Sequence, residues 1–134
     1  MSMKIKWYPQ AHVAKMVFKM DQNVLRAAVF LVGDIKRAFP DSGITGTRRG
    51  ATREQREANA SKPGELPHVQ TGTLKRSIRY EKVKPTVYKV GPTVRYGVWL
   101  ERGTSTMGAR PFLRPAMSRN RTTLKQFITG KRIT

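Results

Sequence analysis

Apolar residues recur at steps of three and four through the first part of the chain: Val13, Met16, Val17, Met20, Val24, Ala28, Leu31, Ile35 and Phe39. That spacing puts them on one face of a helix and predicts a single helix from about Gln10 to Phe39. Pro9 suits a first helical position, and Pro40-Asp41-Ser42-Gly43 stops the run. Some thirty residues rising 1.5 Å each make a rod of roughly 45 Å. That is long for so small a chain. Either the rod kinks near Gly33, or part of its apolar face packs on something else.

The pattern is then lost. Between residues 41 and 70 the larger aliphatics are Ile44, Leu66 and Val69, set among Gly43, Gly46, Gly50, Gly64, Pro63 and Pro67. Residues 51–60 (ATREQREANA) could form a polar turn or two of helix, with nothing to bury. A connection this long and this poor in apolar residues is usually functional or mobile, and the alternative to a functional role is a solvent-exposed flexible loop. Ordering it costs about 1–2 kcal/mol per residue in backbone entropy, with little apolar area to offset that within one copy. The segment is therefore expected to be an extended assembly loop. Ile44, Leu66 and Val69 are its candidate contacts with a neighbouring copy. Arg48, Arg49, Arg53 and Arg56 are its candidates to face DNA or an acidic partner.

Periodicity returns at Thr71. Thr71 to Ile78 reads as a short helix with Thr71 as N-cap and Leu74 and Ile78 facing inward. Ile78 to Glu81 and Val87 to Val90 read as two strands turning at Lys84-Pro85-Thr86, with Gly91-Pro92 breaking the second. Val94 to Leu100 fits a strand or a short helix. In a helix Tyr96, Trp99 and Leu100 would share a face, and Gly103 would end it. Pro111 to Thr129 reads as a last helix, with Leu113, Met117, Leu124 and Ile128 on one side and Gly130 just past its end. The order predicts an α+β fold: a long N-terminal helix, a small antiparallel sheet and a C-terminal helix. No internal repeat is visible.

At 134 residues the chain is expected to be one domain. It has no cysteine, so disulfides and thiolate metal sites are ruled out. The N-terminus lacks an apolar core of signal-peptide length. No stretch approaches the ~18 consecutive apolar residues of a membrane span. These features predict a soluble protein with no membrane partner. Charge changes the picture more. Lys and Arg number 27 against 8 Asp and Glu, a net charge of +19. Such a balance favours a polyanionic neighbour, nucleic acid first and acidic protein second. Seven basic residues and no acid lie from Arg110 onward, interleaved with Phe112, Leu113, Met117, Leu124 and Phe127. The basic character is thus not a detachable tail.

A search for catalytic chemistry finds no pattern. His12 and His68 have no metal-ligand spacing, the eight acids form no two-metal cluster, and there is no nucleophile elbow or phosphate-cradling glycine loop. The expectation is no enzyme, no catalytic or metal residues and no cofactor. Tyr80, Tyr88, Tyr96 and Trp99 lie near Arg79, Lys89, Arg95 and Arg102, as stacking platforms do in single-strand binders. Strand alternation of Tyr80 and Tyr88 favours packing in the core or an interface instead.

Two segments are more specific. One runs from Ser61 to Ile78 (SKPGELPHVQTGTLKRSI). The other runs from Tyr96 to Ser105 (YGVWLERGTS) and on to ARPFLRPA at Ala109–Ala116. Together they resemble the neck, or tail-component, family of long-tailed bacteriophages, which joins head to tail. The family shows a Pro-Gly loop, TG-x-L-x-x-SI, a tyrosine strand, a Glu-x-Gly-Thr turn and Ala-Arg-Pro-Phe-Leu-x-Pro-Ala opening the last helix. The likeness spans roughly 61–117. Gly97 departs from it where alanine is usual, which weakens a helix there by about 1 kcal/mol. Arg110 beside a helix start opposes the helix dipole. Glu101 is its candidate partner, against the alternative of a plainly exposed Arg110. Both are candidate subunit-interface residues.

The resemblance implies a virion structural protein at the head–tail junction, assembled in the host cytoplasm. It would be a connector or tail-completion subunit of a homo-oligomeric ring, sixfold or twelvefold, that lines or closes the DNA channel. Its partners would be copies of itself, neighbouring head-completion and tail proteins, and genomic DNA in the lumen. Charge alone favours a stand-alone, sequence-independent nucleic-acid-binding protein. A small metal-dependent nuclease or toxin is the third reading.

Overall fold

A computed structural model describes residues 9–40, 52–58, 60–68 and 72–130. The long helix is present as α1, Gln10–Ala38, unbroken through Gly33. Its 29 residues extend about 43 Å. From Val24 onward the apolar stripe is covered, and Ala27, Ala28, Leu31 and Ile35 are buried. Lys36 and Arg37 in the last turn suit the negative end of the helix dipole.

A six-residue helix, α2 (Arg53–Ala58), follows. It starts with a reciprocal cap: the Thr52 hydroxyl accepts from the Gln55 N–H at 3.3 Å, and the Gln55 side chain accepts from the Thr52 N–H at 3.1 Å. Helix α3 is Thr73–Ser77. Its N-cap is Gly72, with φ 71°, while Thr71, the expected cap, lies outside the described residues. The Ser77 hydroxyl donates back to the Leu74 carbonyl at 2.7 Å, and the chain extends at Ile78.

The sheet is an antiparallel hairpin of β1 (Ile78–Lys84) and β2 (Val87–Pro92). The register runs from Ile78 opposite Pro92 to Lys84 opposite Val87, with an irregularity between Lys82 and Lys84. Both strands are longer than the sequence pattern indicates. Gly91-Pro92 forms the last two positions of β2 and does not break it earlier, because proline is tolerated at the end of an edge strand, where no partner needs its N–H. Strand β1 buries only Ile78, so the alternation expected of Tyr80 does not put that ring in the core: it is 45% exposed.

Of the two alternatives for the segment after the hairpin, the helix is observed. Helix α4 is Tyr96–Arg102, closed by Gly103 at φ 78°. A Cβ on Gly103 would lie 2.9 Å from the Ala109 nitrogen, so both backbone angle and space call for glycine. The C-terminal helix is two helices, α5 (Leu113–Arg119) and α6 (Arg121–Thr129), parted at Asn120. Pro111 precedes the first of them, and Pro115 sits in its first turn, where a missing N–H costs no intrahelical bond. Gly130 closes α6 at φ 69°.

The core lies where these elements meet: Leu31, Ile35, Phe39, Ile78, Phe112 and Ala116, flanked by Val32, Leu66, Leu74, Val90, Leu100, Leu113 and Leu124. Phe39 and Phe112 are tilted rings with centroids 5.5 Å apart. Phe30 and Phe127 form a second such pair at 5.3 Å, joining α1 to α6. Among the described residues no helix is long and apolar enough to cross a membrane.

Candidate subunit interface

The two sequence segments that stand out are assembled into one unit. The Gly64 N–H donates to the Ala109 carbonyl at 2.8 Å, joining the Pro-Gly loop to the start of ARPFL. Gly108 is packed so closely on Pro63 that a Cβ there would meet the ring at 2.6 Å. The Arg110 N–H donates to the Leu100 carbonyl at 2.6 Å, and the Thr93 N–H to the Ser77 carbonyl at 3.0 Å. Main-chain bonds therefore tie the loop to the segment that leads into α5, that segment to α4, and α3 to the end of the hairpin.

Glu101 is the side chain that closes this unit. One carboxylate oxygen accepts from the Phe112 and Leu113 N–H groups at 2.7 and 2.9 Å, and the other from the Arg114 N–H at 3.0 Å. It supplies the negative charge that the N-terminus of α5 favours. This differs from the pairing expected with Arg110: among the described residues no ion pair joins the two. Three orphan backbone donors eleven to thirteen residues away take the carboxylate instead. Arg110 is half-buried, with its Nε enclosed and without a hydrogen-bond partner. It lines a cleft of about 400 Å³ together with Ser61, Pro67, His68, Leu74 and Leu100.

Gly97, the departure from the family pattern, has a local cause. It is buried, and a Cβ on it would stand 2.5 Å from Pro92 Cγ and 3.2 Å from a Leu74 methyl. With Pro92 at the end of β2, alanine does not fit at 97 without displacing the strand end.

Ile44, Arg48, Arg49 and Val69 lie outside the described residues. Arg53 is exposed at the start of α2, and Arg56 is on the same short helix. Leu66 is half-buried and packs against this chain's own core, so residues 61–68 are already part of the folded body. Buried Ser61 and Pro67 flank it.

Two apolar features stand out on the surface, the first foreshadowed by the sequence and the second not. The first is the start of α1, where Val13, Met16, Val17, Phe18 and Met20 are between 40% and 65% exposed. The excess length of the helix was the signal for it. The second is a groove of about 320 Å³ beside the middle of α1, lined by Val24, Ala28, Leu31, Tyr88, Val90, Leu113, Leu124 and, at its rim, Met117 and Ile128. Periodicity put Met117 and Ile128 on one side of a helix with Leu113 and Leu124, and they are 50% and 46% exposed. Tyr96 and Trp99 are also exposed, at 38% and 55%.

Two carboxylates on α1 hold the surrounding elements. Asp21 accepts from Lys82 Nζ at 2.7 Å, from the Thr86 N–H at 2.9 Å and from the Tyr88 hydroxyl at 3.1 Å. The lysine hydrogen bond above all, then the Thr86 amide, holds its pKa below the ordinary 3.8. The contact also fixes the hairpin turn, where Thr86 has φ 64°, a strained value for a β-branched residue. Asp34 accepts from Arg119 at 2.5 Å and from Asn120 Nδ2 at 2.6 Å. Partial burial pushes its pKa up, but those two bonds and the nearby Arg37 outweigh burial and hold it below 3.8. Asn120 also donates to the Ala116 carbonyl at 2.9 Å, which fixes the junction of α5 and α6 against α1.

Comparison with protein families, with curated proteins and with solved structures found no match to this chain.

Proposed function

We propose that this chain is a virion structural protein, the ring subunit of a bacteriophage head-to-tail connection, completing or lining the channel through which DNA passes. The resemblance of residues 61–117 motivates the reading. One observation carries it further: the two resembling segments are bonded to each other at Gly64–Ala109, and Glu101 ties the second segment to α5. The quoted residues thus belong to one folded unit. An interaction role is also supported by the large apolar side chains left uncovered on α1. A protein that works alone in water rarely keeps such a stretch.

The net charge of +19 suits a subunit that stands beside DNA or an acidic neighbour. Sedimentation of the purified protein together with electron micrographs tests the reading. Closed rings of about six or twelve copies are expected. A monomer that binds DNA tightly at low salt and forms no ring would favour the stand-alone nucleic-acid binder instead.

A further inference from the structure

We infer that the exposed first three turns of α1 are an arm that inserts into the apolar groove of the next copy, so that each subunit donates an arm on one side and offers a groove on the other. This rests on the ring reading and specifies its contact. Val13, Met16, Val17 and Met20 continue the same stripe that is half-buried at Val24 and buried at Ala28, Leu31 and Ile35. The stripe does not change character at Met20. The body that covers it simply ends there.

The groove is the matching feature. Met117 and Ile128 stand half-exposed at its rim, and its floor is the α1 stripe from Val24 to Leu31. An arm laid along it meets the kind of surface its own helix meets further on. Large apolar side chains at these exposures present on the order of 100 Å² each, so the four on the stripe (Val13, Met16, Val17 and Met20) offer roughly 400 Å² towards the ~800 Å² per partner of a stable interface.

A second copy fits better than a pair of arms. Two arms packed on each other would close as a symmetric dimer and leave both grooves open. Arm into groove covers both features with one contact, and such a heterologous contact repeats around a ring. The net charge of +19 sets the condition: copies repel at low salt, and contact is favoured once that charge is screened or met by a polyanion.

The chain has no cysteine, which makes the test direct. Met16→Cys and Met117→Cys replace half-exposed side chains and leave the core intact. The two single variants are co-expressed, oxidised at about 0.5 M salt, where charges beyond roughly 5 Å are screened, and run on a denaturing gel. A covalent dimer is expected from the mixture, and a ladder ending at the ring size from the double variant. Neither is expected from Met16→Cys alone. Met16→Asp should reduce the sedimenting species to a monomer with an unchanged circular dichroism spectrum. Oligomers without the 16–117 cross-link, or with 16–16 cross-links only, overturn the arm-in-groove contact and leave the ring reading standing. A monomer under all conditions overturns both.

Discussion

Phe112 is 1% exposed and in ring contact with Phe39, so its side chain spans the junction of α1, the hairpin and α5. Truncation to alanine should cost about 3–5 kcal/mol, because a cavity is left as well as the lost transfer energy. Chemical denaturation of Phe112→Ala against the parent measures it. A melt equal to the parent's would mean the ring is not buried in solution. Gly97 gives a prediction of opposite sign to helix propensity. Alanine is ordinarily worth about 1 kcal/mol over glycine in a helix. Here the added methyl meets Pro92 at 2.5 Å, and overpacking of that kind costs about 1–3 kcal/mol. Gly97→Ala should therefore lower the melting temperature, and adding Pro92→Ala should recover it. If Gly97→Ala is stabilising by itself, the α4–β2 contact is looser than the structure has it.

Among the elements, α1 is the beam to which the others are fastened, through Asp21 for the hairpin and Asp34 for the α5–α6 junction. Both carboxylates titrate below their ordinary 3.8 in the folded chain. A lowered folded-state pKa means the unfolded chain binds protons first on acidification. The stability these contacts confer is fully present above pH 3.8 and is lost as pH falls from there through the folded values. The melting temperature should thus fall across that window more steeply for the parent than for Asp34→Asn, measured by circular dichroism at stepped pH. Parallel curves for the two proteins would remove Asp34 from the account. Glu101 has the corresponding role for α5. Its replacement by alanine strips three backbone N–H groups of their acceptor and should cost about 1–2 kcal/mol.

For the whole molecule, the +19 charge and the uncovered apolar surfaces point in opposite directions. The first keeps copies apart, and the second draws them together. DNA association should be independent of sequence and fall steeply with salt, since phosphate neutralisation releases counterions whatever the bases. Fluorescence anisotropy with two unrelated duplexes over a salt series checks this. A preference for one duplex that survives high salt would favour a dedicated DNA-binding protein over a channel subunit.

The sequence by itself determined most element types (the segment at 94–100 fits either strand or helix), the extent of α1, the hairpin at Pro85-Thr86, the glycines at 103 and 130, and the α+β order. These depend on local matters: the 3.6-residue period, turn chemistry and the backbone angles glycine allows. The break at Asn120 was not legible, because Asn120 is held by Asp34, which is 86 residues away in the chain. Nor was the role of Glu101, whose acceptor geometry exists only once α4 and the start of α5 are side by side. Periodicity showed that Val13 and Leu31 share a face, but tertiary structure decided that one is exposed and the other buried. A stripe records which side of a helix is apolar. How far along that stripe the rest of the chain reaches is settled by packing.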